Sequence, residues 1–299
     1  DYRTTDTDKL LQSVDLNLPM QPLPTPSINH PNAYLVAHHL SHAKSAWMMM
    51  EEDEDISIVI DGIGDGKTCS IWKNTEYVGE VEKKNGSIGY GFARSSEFLG
   101  IEVSNPLDYA GKFMGLQSYG EPIPEYLEYL RQYNLSNEYH NIFEWEEFDK
   151  FYNYSTLNRH RMIDWAATVH KRAGELVFEL FDQYCKPTDK IVYSGGVALN
   201  VLYNTELIKK YPNIVIPPHC GDEGLSLGVL EVMRKQFGLP RMKIDNFPYC
   251  QMDETPEQDI SEENIKKIAQ LLADGNVIGW YQGDGELALN TLGTRSILM

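Results

Sequence analysis

The sequence predicts an α/β fold, and three features of the chain predict it. Residues 189–237 follow the order strand, glycine turn, helix, strand, loop and helix, which is typical of α/β crossover units. Residues 162–185 form a long amphipathic segment with helical periodicity. Three short strand-like runs separated by turn residues predict an antiparallel meander, and they are ISIVID, KTCSIWK and YVGEVEK.

The N-terminal part divides into two predicted segments. Residues 1–32 are rich in Pro, Thr and Asp, which favours an irregular lead-in. Residues 33–120 are expected to form a first α/β lobe, with the meander bent at Asp61-Gly62. In this lobe NAYLVAHH predicts a strand, and helices are predicted at HLSHAKSAWMMM, GSIGYGFARSSEFLGI and YAGKFMGLQSYGEP.

Three further segments complete the predicted organisation. Residues 121–160 mix aromatic and acidic side chains and are interpreted as an insert, either contacting an acceptor or forming a solvated helical cap. Residues 161–240 are expected to form a second α/β lobe, and residues 241–299 a linker and the start of a truncated C-terminal region. Because the apolar run RSIL closes the sequence, we expect further protein after Met299. This last region contains the predicted helix SEENIKKIAQLLADG and the predicted strand NVIGWYQG.

Charge and composition exclude several classes of protein. The chain has 26 basic and 44 acidic residues, so its formal net charge of −18 argues against direct binding of nucleic acid or anionic membranes. The sequence has no apolar run of about 18 residues, and its first residues lack the pattern of a secretory signal. Its four cysteines form no C-x-x-C pair, which disfavours a thiolate zinc site or a redox dithiol. We therefore expect a cytoplasmic protein that does not enter a membrane.

Histidine spacing indicates a metal site. On a helix, His38 and His42 share a face, whereas His39 points about 100° away. Asp222 lies between a predicted strand and a predicted helix, where it serves either as a helix N-cap or as a ligand at the mouth of an α/β crevice. Two imidazoles and one carboxylate suit Fe(II) or another divalent metal, with His219 as an alternative ligand. On spacing alone, a histidine-bearing helix N-terminus remains the competing interpretation.

Two glycine turns are candidates for binding a nucleotide. Gly195 and Gly196 follow a predicted strand and open a helix, where backbone amides can approach a phosphate or a ribose. The alternative is that glycine there only permits close packing. Asp61 and Gly62 end another predicted strand, a position suited to a phosphate or a metal-bound water. A plain hairpin turn is the alternative for this pair.

Several motifs resemble those of the O-carbamoyltransferase family, which modifies nodulation factors and antibiotics. The resemblance implies a duplicated actin/sugar-kinase-like (RNase H-like) fold with an inserted helical segment, similar to the tRNA threonylcarbamoyl transferases. It extends from about residue 35 to the end of the chain. The matching motifs are HHLSHAKSA, VIDGIGDG, GSIGYGF, GKFMGLQSYG, SGGVALN, CGDEGLSLG and LGTRSIL.

The resemblance assigns roles to individual residues. It implies that His38, His42 and Asp222 hold a metal, iron acting as a Lewis acid, with nucleotide phosphates between the ion and the Asp61-Gly62 turn. Further residues expected at the nucleotide lie along both lobes. Asp108 and Gly120 are expected at the ribose or base. Asn200 is expected to reach the same nucleotide, with Gly195 and Gly196 in the same SGGVALN motif. Lys112 either neutralises phosphate or is a surface residue of its helix.

The resemblance also implies a two-stage reaction. Carbamoyl phosphate and ATP first give carbamoyl adenylate, and a hydroxyl of a small-molecule acceptor then attacks its carbonyl carbon. The second stage belongs to this domain, whereas a C-terminal YrdC-like domain or a partner is expected to perform the first. The catalytic base stays unassigned, because residues 1–30 lack the family's His-Asp hairpin.

One further departure leaves other functions open. Where the family has an arginine-containing stretch, this chain has GDGELALNTLG, with Asp284, Gly285 and Asn290, so Arg295 alone supplies positive charge there. The alternatives are an ATP-dependent kinase or ATPase of the same fold, and a degenerate nucleotide-binding module that lacks the adenylate-forming domain. A tRNA acceptor is a third alternative, which the negative charge disfavours.

Overall fold

The chain divides into two compact units, Asp1–Arg241 and Met242–Met299. Most of the lead-in and residues 133–158 of the predicted insert lie outside the described residues. The computed structural model describes residues 21–22, 34–73, 76–82, 87–97, 108–132, 159–241, 246–250, 260–289 and 294–299.

A five-stranded mixed sheet forms the centre of the first unit. Its strands are β3 (Ile56–Gly64), β4 (Lys67–Lys73), β5 (Glu76–Glu82), β6 (Ile191–Ser194) and β7 (Ile214–Val215). They lie in the order β5-β4-β3-β6-β7. The antiparallel meander is confirmed, since β4 pairs antiparallel with both β3 and β5. Strand β6 pairs parallel with β3 and with β7, which confirms the α/β crossover.

The segments 33–120 and 161–240 both contribute strands to this one sheet. Because β3 and β6 are direct neighbours, the described part of these segments builds one α/β layer system. The duplication implied by the resemblance therefore stays a prediction.

The bend of the meander lies four residues later than predicted. Strand β3 continues through Asp61 and Gly62 to Gly64, with an irregular register between Ile60 and Gly64. The turn itself uses Asp65 and Gly66, whose φ angles are 51° and 77°. Two positive φ angles are what a two-residue hairpin turn of type I′ requires, and Asp-Gly supplies them readily. The interpretation of Asp61-Gly62 as a strand end or a hairpin turn is therefore wrong.

The N-terminal part of the first unit also differs from the prediction. Strand β1 (Gln21–Pro22) pairs antiparallel with β2 (Tyr34–Leu35), so part of the expected irregular lead-in is a strand. Of the described residues of NAYLVAHH, only Tyr34 and Leu35 form the predicted strand, because helix α1 (His38–Lys44) begins three residues later.

Helices cover both faces of the central sheet. Alternate residues of β3 face opposite ways: Ile58 and Ile60 join a large apolar cluster with α5, whereas Val59 packs with Leu40 of α1. Helix α7 packs beside α1 on that second face. Among the described residues of this unit, the α-helices are α1 (His38–Lys44), α2 (Ile88–Glu97), α3 (Asp108–Leu116), α4 (Pro124–Arg131), α5 (Arg159–Tyr184), α6 (Val201–Lys210) and α7 (Leu225–Gln236).

The described part of the second unit contains one amphipathic helix and two small antiparallel pairs. Helix α8 (Glu262–Ala273) begins after Ser261, whose hydroxyl accepts the backbone N–H of Asn264 at 3.3 Å. The predicted helix and strand of this region are both confirmed. The pairs are β8 (Tyr249–Cys250) with β10 (Gly285–Glu286), and β9 (Ile278–Tyr281) with β11 (Arg295–Leu298). Within the described ranges, neither unit has a helix with the length and apolar character needed to cross a membrane.

Candidate metal centre

Helix α1 presents two imidazoles one turn apart. The Nε2 atoms of His38 and His42 lie 3.1 Å from each other, which confirms the shared helix face that their spacing predicts. His39 points elsewhere, as expected: its Nδ1 lies 2.8 Å from Ser70 Oγ and its Nε2 lies 3.1 Å from the carbonyl oxygen of Lys67. His39 therefore joins α1 to β4, while the other two histidines are available to a ligand.

Two carboxylates approach these imidazoles from the carboxyl ends of the parallel strands. Asp61 comes two residues after Val59, which pairs with Ser194 at the end of β6. Asp222 follows β7 and begins a short 3-10 helix that leads into α7. In open α/β sheets the carboxyl edge of the strands is where ligands bind. The long-range pairing of β3 with β6 is thus what brings the two carboxylates to one place.

The distances between the imidazole nitrogens and the carboxylate oxygens are close to those between ligands of one metal ion. Ligands about 2.1 Å from one ion lie about 3.0 Å apart at right angles and about 3.4 Å apart at the tetrahedral angle. Their donor atoms all lie within 4.8 Å of one another. The measured separations are 3.3 Å and 3.9 Å from Asp61 Oδ2 to His38 Nε2 and His42 Nε2, and 3.5 Å and 3.2 Å from Asp222 Oδ1 to the same two atoms.

Burial differs among the four donors, and the difference defines the open side. The His42 side chain is fully buried and that of Asp61 is 12% exposed, whereas the Asp222 side chain is 70% exposed. His38 lies between these extremes. A ligand can therefore reach the group from the side of Asp222.

Close backbone packing fixes the histidine-bearing helix. A Cβ on Gly64 would lie 2.1 Å from Cδ2 of His38, so the ring occupies space that only glycine leaves open. A Cβ on Gly228 of α7 would lie 1.7 Å from the carbonyl oxygen of Ser41, so α1 and α7 touch through their backbones. The hydroxyl of Ser194 donates a 2.7 Å hydrogen bond to the carbonyl oxygen of His42. These contacts hold α1 against β3, β6 and α7.

The electrostatics of the group favour positive charge within it. Burial lowers the pKa of His38, but its hydrogen bond with Asp61 and the nearby carboxylates outweigh burial, so the net pKa is raised. Burial opposes ionisation of Asp61, yet His38, His42 and the amide of Gly196 hold the pKa of this carboxyl well below its usual range. The hydrogen bond with His42 lowers the pKa of Asp222. Two carboxylates that stay ionised beside two imidazoles are a suitable donor set for a divalent cation.

The glycine turn after β6 lies directly against this group. Gly196 donates its backbone N–H to Asp61 Oδ1 at 2.9 Å. Gly195 has a φ of 94°, and a Cβ there would lie 2.4 Å from the carbonyl oxygen of Ile60. Close approach of two backbones therefore requires this glycine. The expected contact of Gly195, Gly196 and Gly62 with a nucleotide stays a prediction.

Two other expected site residues have contacts within the protein. Nε2 of His219 donates to the carbonyl oxygen of Ser45 at 2.9 Å, and His219 is not among the four residues of the group. Asn200 caps α6, with Oδ1 accepting the backbone N–H of Tyr203 at 3.3 Å, and its Nδ2 lies 3.1 Å from Nε2 of His170. Its role at a nucleotide stays a prediction.

Three expected nucleotide residues lie on helices α3 and α5 or next to them. Asp108 is exposed at the start of α3, and Lys112 is exposed on the same helix. Gly120 packs on α5, where a Cβ would lie 2.3 Å from the carbonyl oxygen of Ile163. Among the described residues these three do not contribute to the His/Asp group. Their contacts with a nucleotide stay predictions.

Sequence reasoning placed Asp61 at a phosphate and did not count it as a candidate ligand. The structure adds its carboxylate to the group formed by His38, His42 and Asp222. One sequence signal was available, since Asp61 interrupts the otherwise apolar end of the strand ISIVID. A carboxylate within a buried strand requires a partner.

Fold and site together define an α/β domain that carries a His/Asp group able to hold a divalent ion at the carboxyl edge of its parallel strands. Residues 10–230 match the family model described as carbamoyltransferase N-terminus, and the chain belongs to this family.

The matching relatives are longer than this chain. It is 27% identical over 293 residues to nodulation protein NolNO of Sinorhizobium fredii, covering 88% of this chain and 42% of NolNO. It is 26% identical to nodulation protein NolO of Bradyrhizobium diazoefficiens, covering 87% of this chain and 52% of NolO. The chain thus spans about half the length of these curated relatives.

Among solved structures, the chain is similar to the activator of the 2-hydroxyisocaproyl-CoA dehydratase from Clostridium difficile. The superposition has a TM-score of 0.41 and 14% sequence identity, and it covers 68% of this chain and 70% of the activator. The mixed sheet with helices on both faces establishes the α/β class from the coordinates themselves.

Proposed function

We propose that this chain is the transfer domain of an O-carbamoyltransferase, which moves a carbamoyl group from carbamoyl adenylate to a hydroxyl of a small-molecule acceptor. Membership of the family supports the reaction class. The observation that carries the proposal is the convergence of His38, His42, Asp61 and Asp222, whose donor atoms lie within 4.8 Å of one another beside a glycine turn.

The donor set fits a divalent ion, and Fe(II) is the ion we propose. His38, His42 and Asp222 would hold it, with Asp61 as the fourth ligand. Two imidazoles and carboxylate oxygens suit Fe(II) and related ions better than Mg²⁺ or Ca²⁺, which prefer oxygen ligands alone. Such an ion acts as a Lewis acid that stabilises negative charge on a phosphate leaving group.

The residues around the group orient the substrate. The Gly195-Gly196 turn brings backbone close to the carboxyl edge of β6, where an adenylate phosphate can approach without a side-chain barrier. Asp222 lies on the open side, so we place the entry of the adenylate there. Lys112, Asp108, Gly120 and Asn200 are proposed to contact the nucleotide, as the resemblance implies.

The transfer step is a substitution at the carbonyl carbon and needs no oxidant or reductant. The acceptor oxygen forms a bond with the carbonyl carbon, the bond from that carbon to the phosphate oxygen breaks, and AMP leaves with the electron pair. The acceptor hydroxyl loses its proton to a base, and we assign no residue of this chain to that role. We propose that carbamoyl phosphate and ATP supply the adenylate through a YrdC-like domain or a partner, in a cytoplasmic protein.

The test supplies synthetic carbamoyl adenylate and a panel of hydroxylated compounds to the iron-loaded protein and detects carbamoylated products by mass spectrometry. The proposal predicts transfer by the wild type and loss of transfer in Asp222→Asn. Asp182→Asn is the matched control, because it removes the same charge from a surface pair with Lys210. This control should keep wild-type activity.

Two results would favour the alternatives. Phosphoryl transfer from ATP without carbamoyl transfer would indicate a kinase or an ATPase. Stoichiometric metal and nucleotide binding without any transfer would indicate a degenerate binding module.

A further inference from the structure

The turn between β3 and β4 contacts the first residue of α1 in two ways. The carboxylate of Asp65 accepts the backbone N–H of His38 through Oδ2. One residue earlier, Gly64 leaves the space that the His38 ring occupies. The turn therefore sets both the backbone and the ring of the same histidine.

Helix α1 cannot supply this cap from its own sequence. Its N-cap residue is Ala37, which makes no side-chain hydrogen bond, and its first turn contains no acidic residue. The first N–H groups of a helix need acceptors, and a negative charge is most favourable there. A seven-residue helix is also too short to be stable alone. Asp65, 27 residues away in sequence, supplies the missing acceptor.

The two histidines of the metal centre have separate supports. The backbone of His42 is held from the sheet side, where Ser194 donates to its carbonyl oxygen. The backbone N–H of His38 is held by the hairpin turn. A change at the turn therefore acts on His38 first and leaves the support of His42 in place.

We propose that Asp65 is a positioning residue of the metal centre, which fixes His38 Nε2 within coordination distance through the first backbone N–H of α1. The inference rests on the proposed function, because it assumes that the His/Asp group binds an ion. Asp65 also suits the turn, since its φ of 51° is a conformation that aspartate, asparagine and glycine adopt at lower cost than other residues.

The backbone conformation of Asp65 permits two substitutions that keep the turn. Asp65→Gly keeps the turn and removes the carboxylate, whereas Asp65→Asn keeps the turn and an uncharged acceptor. Loss of a partner that orients a ligand lowers metal affinity by about 10–100-fold, and we expect about 10-fold for Asp65→Gly. For Asp65→Asn we expect about threefold, because a neutral acceptor is roughly half as strong as an ionised one.

The control removes the same kind of bond far from the metal centre. Asp55 accepts the backbone N–H of Lys190 at 2.8 Å, again from an aspartate carboxylate to a distant amide. Asp55→Ala is expected to leave metal affinity unchanged, even where it lowers the melting temperature. The measurement is anaerobic titration of the full chain with Co(II), whose visible absorption reports the ligands around the ion.

A double-mutant cycle separates positioning from general destabilisation. We expect Asp65→Gly to lower Co(II) affinity about 10-fold when it is introduced into the wild type or into Asp222→Asn. Introduced into His38→Ala, it should leave Co(II) affinity unchanged. A merely structural role would give the same cost in all three backgrounds.

The outcomes distinguish the two proposals. Absence of saturable Co(II) binding by the wild type would overturn the proposed metal function. Tight binding by the wild type with equal affinity in Asp65→Gly, or an undiminished cost of that substitution in His38→Ala, would overturn the positioning role alone.

Discussion

Replacing Gly64 with alanine should displace His38 from the metal centre while leaving the core intact. The added Cβ would lie 2.1 Å from Cδ2 of the ring, whereas carbon atoms in ordinary contact lie about 3.5 Å apart. The separation must therefore grow by about 1.4 Å. Metal–ligand distances tolerate only about 0.2 Å, so the ring cannot keep its place in the coordination shell. We expect metal affinity to fall by about 100-fold, the upper end of the effect that loss of an orienting partner causes.

The assay is a competitive metal titration, followed for each variant by a thermal unfolding curve in the absence of metal. Gly62→Ala is the matched control, because it lies on the same strand and a Cβ there meets no atom within 4 Å. We expect wild-type metal affinity for Gly62→Ala and a large loss for Gly64→Ala. Equal affinity of Gly64→Ala and the wild type would show that His38 is not needed as a ligand in the observed position.

Three further predictions concern stability and reactivity. Gly228→Ala should lower the free energy of unfolding in urea by about 1–3 kcal/mol, because its Cβ would meet the carbonyl oxygen of Ser41 at 1.7 Å; an unchanged midpoint would contradict the observed helix contact. Burial lowers the pKa of His39 to about 3 from 6.5. The unfolded chain then binds a proton that the folded chain does not, so stability should fall as the pH decreases from about 6.5 to about 3. His39→Gln should flatten that dependence in urea titrations at several pH values, and the same slope in both proteins would be inconsistent with a buried neutral imidazole. Burial raises the pKa of Cys185 and Cys220 to about 12, so a thiol reagent should modify them only after denaturant is added, and rapid reaction in buffer would contradict their burial.

The sequence pattern predicted correctly those features that depend on interactions between residues close together in the chain. The i, i+4 spacing of His38 and His42 predicted a shared helix face, and the two imidazoles do meet. The meander and the crossover unit followed from short runs of apolar residues and turn residues. The position of Asp222 between a strand and a helix also followed, and a ligand was one of the two roles that this position predicted for it.

The parts that sequence reasoning missed depend on contacts between distant segments. Asp61 reaches the metal centre because β3 runs on to Gly64 with an irregular register and pairs with β6, which local pattern does not show. Asp65 caps α1 from 27 residues away, so the sequence of the helix and of the residue before it does not indicate a cap. His219 resembles a ligand by residue type, yet its position gives Nε2 the carbonyl oxygen of Ser45 as a partner.

Anomalous diffraction from crystals grown with Fe(II) or Co(II) would show whether the His/Asp group holds a metal ion. We expect one strong peak per chain, about 2.1 Å from Nε2 of His38 and His42 and from a carboxylate oxygen of Asp222. A peak that does not touch both histidines, or no peak in crystals saturated with the metal, would show that these residues do not form a metal site.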